Sequence, residues 1–141
     1  MIIYNTLDVK FPKIKRRIVS NWIKYVTGNF NKRVGDISFI FCSDEKILEL
    51  NKEYLSHNYY TDVLTFDYSK NEIISGDIFI SIDTVTSNAK NYQIPLTQEL
   101  YHVMIHGILH LCGMNDNNKK TIIDMRKSEK EAMDYLNFLL K

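Results

Sequence analysis

Apolar and polar positions along this chain switch between two periods, and the switches outline an ordered series of strands and helices. Runs rich in β-branched and aromatic residues, with strand character, cover Met1 to Asn5, Asp36 to Cys42, Asp62 to Tyr68 and Ile73 to Ile82. Elsewhere the apolar residues recur every three or four positions. Pro12 opens one such stretch, which runs through about Val26 with Ile14, Ile18, Trp22, Ile23 and Val26 on its core side. Ser43 or Asp44 caps a second helix carrying Ile47, Leu48, Leu50 and Tyr54, and a third covers about Asp83 to Tyr92. Thr97 caps the fourth, with Gln98 and Glu99 suited to its first turn. The last helix, from about Lys120 to Leu140, sets Ile122, Met125, Ala132, Met133, Leu136, Leu139 and Leu140 along one stripe. No repeat, linker or low-complexity stretch interrupts the series. The pattern predicts an α+β fold, a single domain over residues 1–141, in which a mixed sheet of about four strands packs against about five helices with the fourth helix central.

That fourth helix carries the candidate chemistry. From Leu100 to Cys112 nearly every position other than histidine is apolar, so the helix is expected to be buried almost all round and its polar groups need partners. His106 and His110 are four apart, on one face and one turn from each other, so both imidazoles can reach a single ion. Gly113 ends the helix in a left-handed turn that returns Asp116 toward the same point. The spacing H-x3-H-x5-D therefore offers two nitrogens and one oxygen to one zinc per chain and leaves a fourth, open position for a zinc-bound water, the arrangement of a catalytic site. The competing reading is an ordinary histidine pair on a helix. Gly107 weighs against it, because a glycine inside a helix costs about 1 kcal/mol relative to alanine and implies a close neighbour. Gly107 also stands where an H-E-x-x-H metallopeptidase carries its glutamate base. The helix looks like a zincin helix adapted to other chemistry. His102, one turn before His106, drifts around the helix and is read with Glu99 as packing behind the ligands.

Composition fits an enzyme with one core. The chain has 141 residues, 45% apolar and 25% charged, which places it among folded globular proteins. Cys42 and Cys112 lie in apolar segments and are expected as reduced core thiols. Met1-Ile2-Ile3-Tyr4 is too short an apolar run for a secretion signal, and no stretch of about 20 apolar residues follows. A soluble cytoplasmic protein with no membrane partner is expected. The net charge of +1 conceals an uneven distribution, since residues 1–33 carry eight Lys and Arg against Asp8 alone. Lys13, Arg16 and Arg17 on the first helix are candidates for contacting RNA phosphates, where neutralisation releases counterions; a solvated helix face is the plainer alternative.

The histidine segment resembles that of a known family, the YbeY-type endoribonucleases, which are bacterial ribosomal RNA maturation factors. The family's signature H-G-x-L-H-L-x-G-[YF]-D-H is matched without a gap from His106 to Gly113, and Glu99 and His102 agree with its E-x-x-H-x-x-x-H run. Thr61-Asp62-Val63-Leu64-Thr65-Phe66 resembles the family's P-T-D-V-L-S-F strand, and Gly76-Asp77-Ile78 its G-D-I strand. The resemblance spans residues 44–116. It implies a metal-dependent endoribonuclease that prefers single strands and acts on a ribosomal RNA precursor in contact with the ribosome or its small subunit. It also implies that Thr61 and Asp62 line the substrate channel beside the metal, although a Thr-Asp pair at a strand start is equally ordinary turn chemistry.

Two departures stand out. Asp116 replaces the family's third histidine, an exchange that zinc tolerates. Leu55, in Asn51-Lys52-Glu53-Tyr54-Leu55, occupies the position of an arginine that serves the family's catalysis. His57, two residues on, is a candidate to supply a cation or a proton there, and Tyr54, Tyr59 and Tyr60 are candidates for stacking on unpaired bases. Two other readings use the same ligands: a metallopeptidase-like hydrolase, and a non-enzymatic ribosome-associated assembly factor with a structural metal.

Overall fold

The pleat of the sheet sorts the side chains of this protein into two apolar layers, and the helices follow that division. The structure is a computed structural model that describes residues 1–55 and 61–141. Its elements are β1 (Ile2–Thr6), α1 (Arg16–Gly28), β2 (Arg33–Cys42), α2 (Asp44–Leu55), β3 (Val63–Asp67), β4 (Ile73–Ser81), α3 (Ile82–Tyr92), α4 (Leu96–Leu111) and α5 (Lys119–Leu139). The strands form a mixed sheet in the order β1-β2-β4-β3. β1 and β4 both run parallel to β2, whereas β3 is an antiparallel edge strand with Val63 opposite Ile80 and Thr65 opposite Ile78.

Because successive side chains point to opposite faces, Ile37, Phe39 and Phe41 of β2 join Ile74, Ile78 and Ile80 of β4 in the main core, under Trp22 and Ile23 of α1 and Met104, Ile105 and Ile108 of α4. The alternate positions, Cys42, Leu64, Phe66 and Phe79, form a smaller cluster with Ile47 and Leu50 of α2. The parallel pair is buried on both faces, which is why β2 ends in the nearly unbroken apolar run Phe39-Ile40-Phe41-Cys42. Among the described residues, no helix is long and apolar enough to cross a membrane.

Several boundaries differ from the sequence expectation, each for a tertiary reason. The first helix begins at Arg16, not Pro12. The lead-in is held by long-range contacts instead: the Lys15 amide donates to the Tyr101 hydroxyl at 3.2 Å, Phe11 meets Phe41 edge-on at 5.7 Å, and the Arg16 guanidinium lies 4.2 Å above the Phe11 ring. Ile14 therefore reaches the core from this segment and not from a helix face. β2 starts at Arg33, with a register shift between Val34 and Ile37 that breaks the alternation where it would otherwise mark the strand. Gly35 sits in this irregularity, where a β-carbon would lie 2.5 Å from Ser75 Oγ. Thr97 does not cap α4. Pro95 holds that position without a side-chain bond, because the turn from α3 is so short that Gln93, in the left-handed region at φ 57°, leads almost directly into the helix. At α2 the Ser43 hydroxyl accepts from the Lys46 amide at 3.2 Å, which makes Ser43 the cap. Asn118 caps α5 in a reciprocal pair with Thr121.

Candidate metal centre

α4 runs between the sheet and the remaining helices, with Leu100, Val103, Met104, Ile105, Ile108, Leu109 and Leu111 buried around it. Its close approach to the sheet depends on Gly107, where a β-carbon would stand 3.0 Å from Ile78 Cγ2. That approach presses the neighbouring His106 and His110 toward the edge strand β3. Beyond the helix, Gly113 takes φ +100°, which a side chain would strain, and the chain reverses. Asp116 thereby comes back over the two rings.

The three side chains converge. His106 Nε2 lies 3.0 Å from His110 Nε2, with Asp116 Oδ2 at 3.5 Å from the first and Oδ1 at 3.8 Å from the second. One ligand atom from each falls within 4.8 Å of the others. Donors about 2.0–2.1 Å from a tetrahedral zinc stand ~3.3 Å from one another, so the observed spacings suit one shared ion. The backs of the rings agree with this. His110 Nδ1 donates to the Met114 carbonyl at 3.0 Å, and His106 Nδ1 donates to Glu129 Oε2. Both partners can only accept, so each Nδ1 carries a hydrogen, which leaves Nε2 of each ring as the nitrogen that can present a lone pair to the common point.

The surroundings are rich in carboxylates. Burial would push the His106 ring below the ordinary histidine range, but the hydrogen bond to Glu129 and the charges of Glu129, Asp116 and Asp62 outweigh it and raise the ring. The same field attracts a cation into the gap between the nitrogens. Burial raises the Asp62 carboxyl, with His106 partly opposing that rise. Glu129 is itself buried, yet the hydrogen bonds from His102 and His106 overcome desolvation and hold its carboxyl low. His102 is raised by its hydrogen bonds to Glu129, at 3.0 Å, and to Glu99, at 3.3 Å.

The triad opens into a cleft of about 650 Å³ whose wall is Thr61, Asp62, Val63, Thr65 and Asp67 of the β3 segment. Thr61 and Asp62 are thus brought beside His106, His110 and Asp116. No Lys or Arg is among the described residues that line it. Lys13 lies elsewhere, in a shallow hollow with Lys15, Thr97, Gln98 and Tyr101 at the N-terminal end of α4. Arg16 and Arg17 are exposed on the first turn of α1. Nine residues of helix separate Tyr101 from His110, a rise of ~14 Å. Tyr54, 61% exposed, meets Phe66 of the smaller cluster edge-on at 5.9 Å. Leu55, 42% exposed, ends α2. His57, Tyr59 and Tyr60 lie outside the described residues.

Sequence reasoning missed Glu129. The signal was present: Met125, Glu129, Ala132 and Leu136 share one buried stripe of α5, and a charge inside such a stripe demands a partner.

A buried helix brings two imidazoles and a returning carboxylate together in an open cleft, against the edge of a mixed sheet, as a group that could hold a metal ion. Similarity to known proteins makes the class specific. The family model described as Endoribonuclease YbeY matches residues 3–137, and this chain belongs to that family of hydrolases. The Endoribonuclease YbeY of Phocaeicola vulgatus is 53% identical over 133 residues, covering 94% of this chain and 96% of the relative. That of Azobacteroides pseudotrichonymphae is 52% identical over the same length and shares of the two chains. Among solved structures, the solution structure of TM1509 from Thermotoga maritima superimposes with a TM-score of 0.66 at 25% identity, covering 96% of this chain and 89% of that one.

Proposed function

We propose that this chain is a zinc-dependent endoribonuclease that prefers single-stranded RNA and works in the cytoplasm on ribosomal RNA precursors, in contact with the ribosome or its small subunit. One observation carries the reading: three donors, two of them with lone pairs fixed by acceptors behind the rings, converge at the floor of an open cleft. His106, His110 and Asp116 would hold the ion. When bound, zinc supplies a Lewis acid for a phosphoryl oxygen and lowers the pKa of a water toward neutrality.

The remaining work falls to the chain's own residues. Thr61 and Asp62, at the head of β3, would guide the RNA strand past the ligands. Partial burial raises the Asp62 carboxyl above the ordinary aspartate range, with His106 partly opposing that rise. Gly107 provides no carboxylate base beside the first ligand, which argues against peptide hydrolysis. Ribosomal RNA as substrate and the preference for single strands rest on the family resemblance.

The test is to incubate the purified protein with single-stranded RNA, duplex RNA and casein, each with and without a chelator. Cleavage of the single strand that the chelator abolishes and zinc restores is expected. Cleavage of casein, or RNA cleavage indifferent to chelation, would overturn the proposal.

A further inference from the structure

We propose that Glu129 of α5 is the positioning residue for His106, and that His102 and Glu99 hold it to that task as a chain Glu99–His102–Glu129–His106. This rests on the reading of His106 as a metal ligand. Glu129 is 7% exposed and divides its two oxygens: Oε2 accepts from His106 Nδ1, and Oε1 accepts from His102 Nε2 at 3.0 Å. His102 Nδ1 in turn meets Oε1 of Glu99, itself 3% exposed, at 3.3 Å.

A carboxylate has no hydrogen to give. Its presence behind the ring forces the hydrogen onto Nδ1, turns the Nε2 lone pair to the triad and increases the ring's basicity as a ligand. The two rings are locked by different means. His110 leans on a backbone carbonyl in the turn after Gly113, whereas His106 depends on a side chain from another helix. A helix contact made only for stability has no use for such a group, because well-packed apolar residues at a buried position are commonly as stable as an ion pair. Glu129 interrupts an otherwise apolar stripe, and both of its oxygens are turned toward α4.

The test compares Glu129→Gln, nearly isosteric, and His102→Gln with the wild type and with His106→Ala. Zinc affinity is measured by competition against a chromophoric chelator, and the thermal midpoint of the metal-free protein is recorded for each. Glu129→Gln is expected to weaken zinc binding 10- to 100-fold, His102→Gln to weaken it less, and Glu129→Asp to recover part of the loss. A thermal midpoint that falls while affinity stays at the wild-type value would reduce Glu129 to a structural contact and overturn the proposal. If His106→Ala leaves zinc binding unchanged, the ligand assignment fails instead. Nitrogen-15 spectra of the wild-type imidazoles, with and without zinc, then decide separately: a hydrogen on His106 Nδ1 that Glu129→Gln removes or destabilises supports the positioning role, and a bare Nδ1 in the wild type refutes it.

Discussion

Gly107 rests so closely against Ile78 that a β-carbon on it would stand 3.0 Å from Cγ2 and 3.1 Å from Cδ1 of that side chain. Ile78 is fully buried in β4 and has little room to yield. Alanine at position 107 gains helix propensity of about 1 kcal/mol, but overpacking at such a contact typically costs about 1–3 kcal/mol. Gly107→Ala is therefore expected to lower stability by about 1 kcal/mol in urea unfolding and to weaken zinc binding, since it pushes α4 off the sheet beside His106. Adding Ile78→Val, which removes the Cδ1 atom, should recover part of both losses. A stability gain in the single variant would show that the contact relaxes freely.

Gly113 makes a different demand, on backbone rather than space. Its φ of +100° is one that a side chain rarely adopts, while Lys32 Nζ, 3.8 Å from a β-carbon built there, is easily moved. The cost of Gly113→Ala is thus conformational, about 1–2 kcal/mol. The strain falls on the turn that returns Asp116 and supplies the Met114 carbonyl to His110. Zinc affinity should drop further than folding stability. Equal losses, measured by chelator competition and urea unfolding, would mean that the turn does not steer the ligands.

The local part of this site was legible in the sequence because its geometry is local. His106 and His110 are fixed by one helical period, and Gly113 by the conformation that only glycine readily takes, so spacing alone placed the pair and the turn. Glu129 belongs to a helix whose docking on α4 no local pattern encodes, and only the misplaced charge in its stripe hinted at a role. The same division explains the fold. The strand and helix periods gave the architecture, whereas the start of α1 was decided by Tyr101 and Phe41, far away in sequence, and the start of β2 was masked by the irregularity at Gly35.

Asp116 is the most exposed of the three candidate ligands, at 45%, and among the described residues it is held by no hydrogen bond comparable to those behind the histidines. Asp116→Ala should weaken zinc binding substantially while leaving the apo fold nearly unchanged. Asp116→His should retain the metal, because imidazole replaces carboxylate in a set that zinc accepts either way. Elemental analysis after dialysis distinguishes the two. Full occupancy in the alanine variant would remove Asp116 from the ligand set.

Both thiols should be inert in the native protein. Burial pushes Cys42 up to about 12 and Cys112 up to about 11, so almost no thiolate exists at neutral pH. Neither sulfur is paired in a disulfide. Reaction with a maleimide at pH 7.5 should proceed only at the rate of global unfolding and reach both cysteines in denaturant. Fast labelling of Cys112 under native conditions would reveal local opening at the C-terminal end of α4.

Lys13 lies near the end of α4 remote from His110, and Arg16 and Arg17 directly follow Lys15, whose amide meets the Tyr101 hydroxyl there, so their effect should separate from that of the cleft. Reversing all three charges is expected to raise KM for single-stranded RNA and leave kcat unchanged, because none of them lines the wall that faces the ligands. For every phosphate that the variant no longer neutralises, the slope of log affinity against log salt should flatten by about 0.7. Arg16 also covers Phe11, an interaction worth about 0.5–1 kcal/mol at an exposed site. Arg16→Gln alone, checked by thermal unfolding, gives the stability share to subtract. An unchanged salt slope in the triple variant would assign these residues to a solvated face, and a fall in kcat would place the RNA path across α1 and into the chemistry.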